Sequence, residues 1–101
     1  MAGIQRHSVT KTPSGGSISW NTDDMRGVMF SVSISPATST TTYDFILTDD
    51  ESIIVYSKKG LKGTFNDNTQ IGLYGIYTAQ ISNASVNEAF KVSLRYEERM
   101  R

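Results

Sequence analysis

From residue 90 to residue 97 the chain alternates strictly: Phe90, Val92, Leu94 and Tyr96 on one parity, Lys91, Ser93, Arg95 and Glu97 on the other. Successive side chains of a strand point to opposite faces, so this pattern fits a strand with one dry and one wet face and no helix. The same period recurs at 28–35, where Val28, Phe30, Val32 and Ile34 alternate with serines, and at 76–82, where Tyr77, Ala79 and Ile81 alternate with Thr78, Gln80 and Ser82. Composition agrees. Val, Ile, Thr, Tyr, Phe and Trp make up 36 of the 101 residues, against 5 Ala, 4 Leu and 4 Glu. Residues that suit a pleated, half-buried surface outnumber the helix formers.

Further strands are predicted at 4–11, 17–20, 43–49, 52–57 and 61–66, with 52–57 apolar enough for burial on both faces. Pro13 and Gly15-Gly16 separate the first two, Pro36 closes the strand ending at Ser35, and Asp49-Asp50-Glu51 is hairpin-turn chemistry. Gly60 and Gly63 mark a bend or bulge, and Asn66-Asp67-Asn68 a turn. Roughly seven or eight short strands at spacings near ten residues predict an all-β fold, an antiparallel two-sheet β-sandwich of immunoglobulin-like or Greek-key type. Gly75-Ile76-Tyr77-Thr78-Ala79 resembles the tyrosine corner of immunoglobulin-like domains, with Ala79 where those domains usually carry Cys.

The length suits a single domain over 1–101, with 1–16 a partly extended N-terminal arm, its 12–16 stretch mobile, and 98–101 a flexible tail. The first twenty residues hold no apolar run of signal-peptide length, and no stretch is long and apolar enough for a membrane span. Ten basic and ten acidic residues cancel, which removes the expectation of a general nucleic-acid binder. The charge is unevenly spread, +2 over 1–20, −4 over 21–90 and +2 over 91–101; it reads first as scattered surface charge, with a small, salt-screened tendency to head-to-tail contacts between copies as the other reading.

Chemistry is sparse. There is no Cys, which excludes disulfides and thiolate metal sites, and one His, His7, which no serine pattern recruits as a base. Asp23-Asp24 and Asp49-Asp50-Glu51 sit at turns, where Asp is favoured for backbone reasons. Asn66-Asp67-Asn68 lacks the spaced ligands and closing Glu of a calcium loop. Asn83-Ala84-Ser85 matches a glycosylation acceptor but reads as a hairpin loop. No catalytic residue, metal or cofactor is expected. Lys58, Lys59 and Lys62 read as a charged edge strand that blocks sheet pairing. Trp20, Tyr56 and Tyr74 are the candidate sugar-stacking platform.

Over 26–97, the segments Tyr43-Asp44-Phe45-Ile46-Leu47-Thr48-Asp49, Ile53-Ile54-Val55-Tyr56, Gly75-Ile76-Tyr77-Thr78-Ala79-Gln80-Ile81-Ser82-Asn83-Ala84 and Phe90-Lys91-Val92-Ser93-Leu94-Arg95-Tyr96 resemble small structural proteins of tailed-phage virions. The resemblance is one of style and carries no site motif. It implies a capsid decoration (cement) protein, or a neck or tail component, assembled in the host cytoplasm, present in many copies or as a homo-oligomer. Its partners would be other virion proteins, not nucleic acid or membrane. Under that reading the contact residues are Ile4, Gln5, Arg6, His7, Val9 and Lys11 of the N-terminal arm with Arg99 and Arg101 of the tail. The competing class is a carbohydrate- or cell-surface-binding module built on the Trp20, Tyr56 and Tyr74 platform.

Overall fold

The computed structural model describes residues 3–98, and these contain strands and loops but no helix. Six strands form one antiparallel sheet in the order β1-β6-β2-β5-β3-β4. They are β1 (Gly3–Lys11), β2 (Ile18–Pro36), β3 (Thr42–Thr48), β4 (Ile54–Lys62), β5 (Phe65–Ser82) and β6 (Phe90–Glu98). The larger strand number and the two separate sheets expected from parity are corrected here. The predicted 17–20 and 28–35 strands are two stretches of the 19-residue β2, and 76–82 is the end of the 18-residue β5.

One sheet encloses a core only by folding over. Trp20 and Val32 would lie roughly 40 Å apart on a straight strand at 3.3 Å per residue. Yet Val32 pairs with Leu94, Leu94 pairs with His7, and His7 is hydrogen-bonded to Trp20. β2 therefore doubles back between these points. The bend coincides with a register break between Asn21 and Asp24, where Thr22 and Asp23 stand against the single residue Tyr77, and with the positive-φ glycines Gly27 and Gly75. Tyr77 ties the corner: its hydroxyl accepts the Tyr74 N–H at 2.8 Å, and its own N–H donates to Thr22 Oγ1 at 3.0 Å. The bond from Tyr77 back to upstream backbone is present, but inside a long strand at the bend of a single sheet.

The core is drawn from β2 to β6, and Tyr43 of β3 meets Phe90 of β6 edge-on with ring centroids 5.0 Å apart although the strands are not ladder neighbours. Along β6 the alternation holds: Phe90, Val92, Leu94 and Tyr96 are all buried. In β2 it does not. Met29 is buried and Phe30 half-exposed, because Phe30 is the unpaired residue of a bulge between Met29 and Ser31. That extra residue resets the parity, so Val28 and Phe30 leave the face occupied by Val32 and Ile34.

The loops hold further corrections. Asn66, Asp67 and Asn68 form no turn but pair with Ser33, Val32 and Ser31 inside β5. Asn66 accepts a hydrogen bond from the Ser33 hydroxyl at 2.7 Å. Segment 52–57 is not buried on both faces: Ile53 and Ile54 are 55% and 57% exposed. The 12–16 stretch is a hydrogen-bonded turn, with Ser14 and Ser17 bridged and Gly16 N–H held by Asn87 at 3.0 Å. At Gly60, which has positive φ, β4 bulges as expected, and the Gly60 N–H donates to Asp44 at 2.8 Å.

Two carboxylates, Asp44 of β3 and Glu88 of the β5–β6 loop, make stability depend on acid. The Gly60 N–H, then the Asn83 amide, hold the Asp44 carboxyl below its ordinary range. The Thr41 hydroxyl, then Thr38, do the same to Glu88. A group whose folded pKa is depressed contributes stability above its unfolded pKa and loses it as pH falls through the folded value. The melting temperature is therefore expected to drop as pH falls from roughly 5 towards 2, and Asp44→Asn/Glu88→Gln should flatten that slope; an equally steep slope in the double variant would reject the assignment.

Candidate interaction surface

The outward face of the β1-β6-β2-β5 half is largely polar. Its rows follow from the ladder register: Thr10, Lys91 and Ser35; Ser8, Ser93, Ser33 and Asn66; Arg6, Arg95, Ser31 and Asn68; Ile4, Glu97, Val28 and Gly72. Arg6 and Arg95 are direct cross-strand partners and both exposed, a like-charge pairing that disfavours the sheet when left uncompensated. The ion pairs among the described residues are His7–Asp23, Arg26–Asp24 and Lys58–Asp67, so Arg6, Arg95 and Lys91 have no carboxylate partner among them. Ser93 Oγ, at the centre of this face, is covered yet has no hydrogen-bond partner among the described residues. Beside the arginines lies a shallow groove of about 420 Å³ lined by Ile4, Val28, Phe30, Thr69, Gln70 and Glu97.

The anticipated contact residues fall here in part. Residues 3–11 are not a loose arm: β1 pairs with β6 without interruption from Gly3–Glu98 to Lys11–Phe90. Ile4 and Arg6 project outward, and Gln5 is exposed as well. Val9 and Lys11 are half-buried, Val9 packing against the core. His7 is buried, its Nε2 accepting the Trp20 indole N–H at 3.2 Å while its Nδ1 faces Asp23 at the same distance. Because Nε2 accepts, the proton sits on Nδ1 and is donated to Asp23. His7 is therefore a structural link between β1 and β2 and is not available on the surface. Arg99 and Arg101 lie outside the described residues.

The aromatic platform does not assemble. Trp20 and Tyr56 are 8% and 7% exposed and belong to the core, whereas Tyr74 is 76% exposed with the Arg26 guanidinium 4.6 Å over its ring. Burial comes first in raising the Tyr56 phenol, followed by its 2.6 Å hydrogen bond to Asp67. Burial alone pushes Tyr43 up to about 12, consistent with its place in the core. Lys58, Lys59 and Lys62 do lie on β4, the outer strand of the sheet, as their edge-protecting role requires. Arg95, Lys91 and the Val28 and Phe30 side chains were not singled out in the sequence as contact residues. The outward parity of Arg95 was legible; that it stands opposite Arg6 depends on β1 pairing with β6.

Among the described residues no three His, Cys, Asp or Glu side chains group as metal ligands. What the geometry defines is an all-β chain, one folded antiparallel sheet, with a polar outer face. No known protein-family pattern matches it, and no curated protein does. Similar solved structures include that of the infectious bursal disease virus Gt strain, with TM-score 0.47 and 8% identity, covering 96% of this chain and 32% of that one. The infectious bursal disease virus VP2 subviral particle gives TM-score 0.46 and 13% identity over 97% of this chain and 33% of that one. The chain thus spans about a third of the length of those chains, and likenesses this distant say nothing of function.

Proposed function

We propose that this chain is a non-enzymatic virion structural protein of the capsid decoration or cement type, which docks in many copies on an assembled protein lattice. The observation that carries the reading is the outer face: hydroxyl-rich and exposed, with two arginines that have no carboxylate partner among the described residues, beside a shallow, largely apolar groove. Such a surface suits a broad protein contact, whereas small-molecule sites are concave and bury most of their ligand. The sequence resemblance to tailed-phage structural proteins supports the same reading, with neck or tail subunits as other lattices of one kind. Copies bound only to the assembled shell stabilise it by mass action, and symmetry lets weak contacts suffice through avidity. The carbohydrate-binding alternative loses support because two of its three platform aromatics are core residues.

The test is cosedimentation of the purified chain with mature tailed-phage heads stripped of their accessory proteins. Bound copies in a fixed ratio to the capsid subunits, and a higher temperature of head disruption, are expected. Absence from the pellet, with binding on a glycan array, would replace this reading with the alternative.

A further inference from the structure

The same face has a complementary feature elsewhere on the chain. At the opposite end of the sheet order, the β3–β4 turn carries Asp49, Asp50 and Glu51 followed by the exposed Ile53 and Ile54. The turn is held in one shape: Asp49 Oδ1 accepts the N–H groups of both Glu51 and Ile53 at 2.9 Å, and Ser52 takes a positive φ of 64°. Asp49 is spent on that cap. Asp50 and Glu51 are exposed and have no cationic partner among the described residues, so the turn presents two free carboxylates next to two bare isoleucines. The outer face presents the converse: the cations Arg6 and Arg95, then, one row on, the apolar groove of Ile4, Val28 and Phe30, with Glu97 as its one acidic lining residue.

We infer that the β3–β4 turn of one copy docks on the β1-β6-β2 outer face of the next, Asp50 and Glu51 meeting Arg6 and Arg95 while Ile53 and Ile54 enter the groove. Both partners of the contact are on this chain, and each carries charge with no opposite partner among the described residues that the other neutralises. Because the two surfaces differ and belong to different strands, the contact is heterologous and propagates head to tail, closing into a ring or running on as a chain. Exposed charges a Debye length apart are screened, so the association weakens with salt. This deepens the multi-copy part of the lattice reading. It is measured on the purified chain alone, so its failure leaves cosedimentation with heads to be judged separately.

The experiment is solution mass by light scattering at concentrations up to about 1 mM, in roughly 25 and 500 mM salt. The native chain is expected to gain mass with concentration at low salt and to lose it at high salt. Arg6→Glu/Arg95→Glu, and separately Asp50→Lys/Glu51→Lys, should each weaken association at least about tenfold. Circular dichroism and melting verify their folds, and Arg6→Ser/Arg95→Ser replaces the first variant if it does not fold. The decisive sample is the equimolar mixture of the two variants. One keeps a native turn and the other a native face, and the reversed turn also complements the reversed face, so the mixture should recover the association that each variant alone has lost. A native chain that stays monomeric at low salt overturns the inference. So do variants that associate like the native chain, or a mixture that stays monomeric.

Discussion

Gly27→Ala is expected to cost about 3 kcal/mol or more, a large share of the roughly 5–15 kcal/mol that stabilises a domain. Gly27 lies where β6 joins β2, paired with Glu98 on one side and Leu73 on the other. A Cβ built there would stand 1.9 Å from the Glu97 carbonyl oxygen and 2.8 Å from its carbon. The obstacle is ladder backbone, which cannot rotate away as a side chain could. The φ of 142° is itself a conformation that L-residues rarely adopt. Gly72→Ala is the control: its Cβ meets nothing within 4 Å and its φ is not positive, so a change within about 0.5 kcal/mol is expected. Urea unfolding of both variants gives the comparison, and a Gly27 variant as stable as the Gly72 variant would refute the close approach. The position matters beyond stability, because Glu97 and Val28 beside it line the groove of the outer face.

Trp20→Ala should lose about 3–5 kcal/mol by the same measurement, the range for emptying a buried aromatic site. Trp20 packs in the core and bonds His7 across the fold, so its removal also strands the His7 acceptor. Trp20→Phe keeps one aromatic ring, loses the hydrogen bond and leaves a smaller void than Ala, so about 1–3 kcal/mol is expected. Were Trp20 instead part of an exposed platform, both variants would unfold like the native chain. Tyr74→Ala makes the contrast: its ring is mostly exposed and capped only by Arg26, and its loss should change stability little.

Much of the local structure was legible because it depends on neighbours in sequence. The alternation of 90–97 maps directly onto β6, with every expected inward residue buried. Asp49 caps the turn it was expected to form, and Gly60 bulges. Tyr77 and Tyr74 point to opposite faces as their spacing requires. Each of these follows from side-chain period or from a side chain bonding its own backbone, and both are properties of a few consecutive residues.

What went unread depends on partners far along the chain. The expected inward parity of 28–35 holds for Val32 and Ile34 but not for Val28 and Phe30, because a bulge is defined by two strands and one strand's sequence does not show it. Asn66-Asp67-Asn68 has turn chemistry, yet its side chains find Ser33 and Tyr56 across the sheet and the ladder overrides the local preference. Parity sorts Trp20 and Tyr56 to a face without saying whether that face is dry. The β character, the inward set of β6 and the Asp49-capped turn were determined by the sequence alone. The tertiary structure decided that β1 is an edge strand, that Arg6 stands against Arg95, and that one sheet doubles over at Gly27 and Gly75. The reason is that a period of two specifies which way a side chain points and leaves open which strand lies beside it.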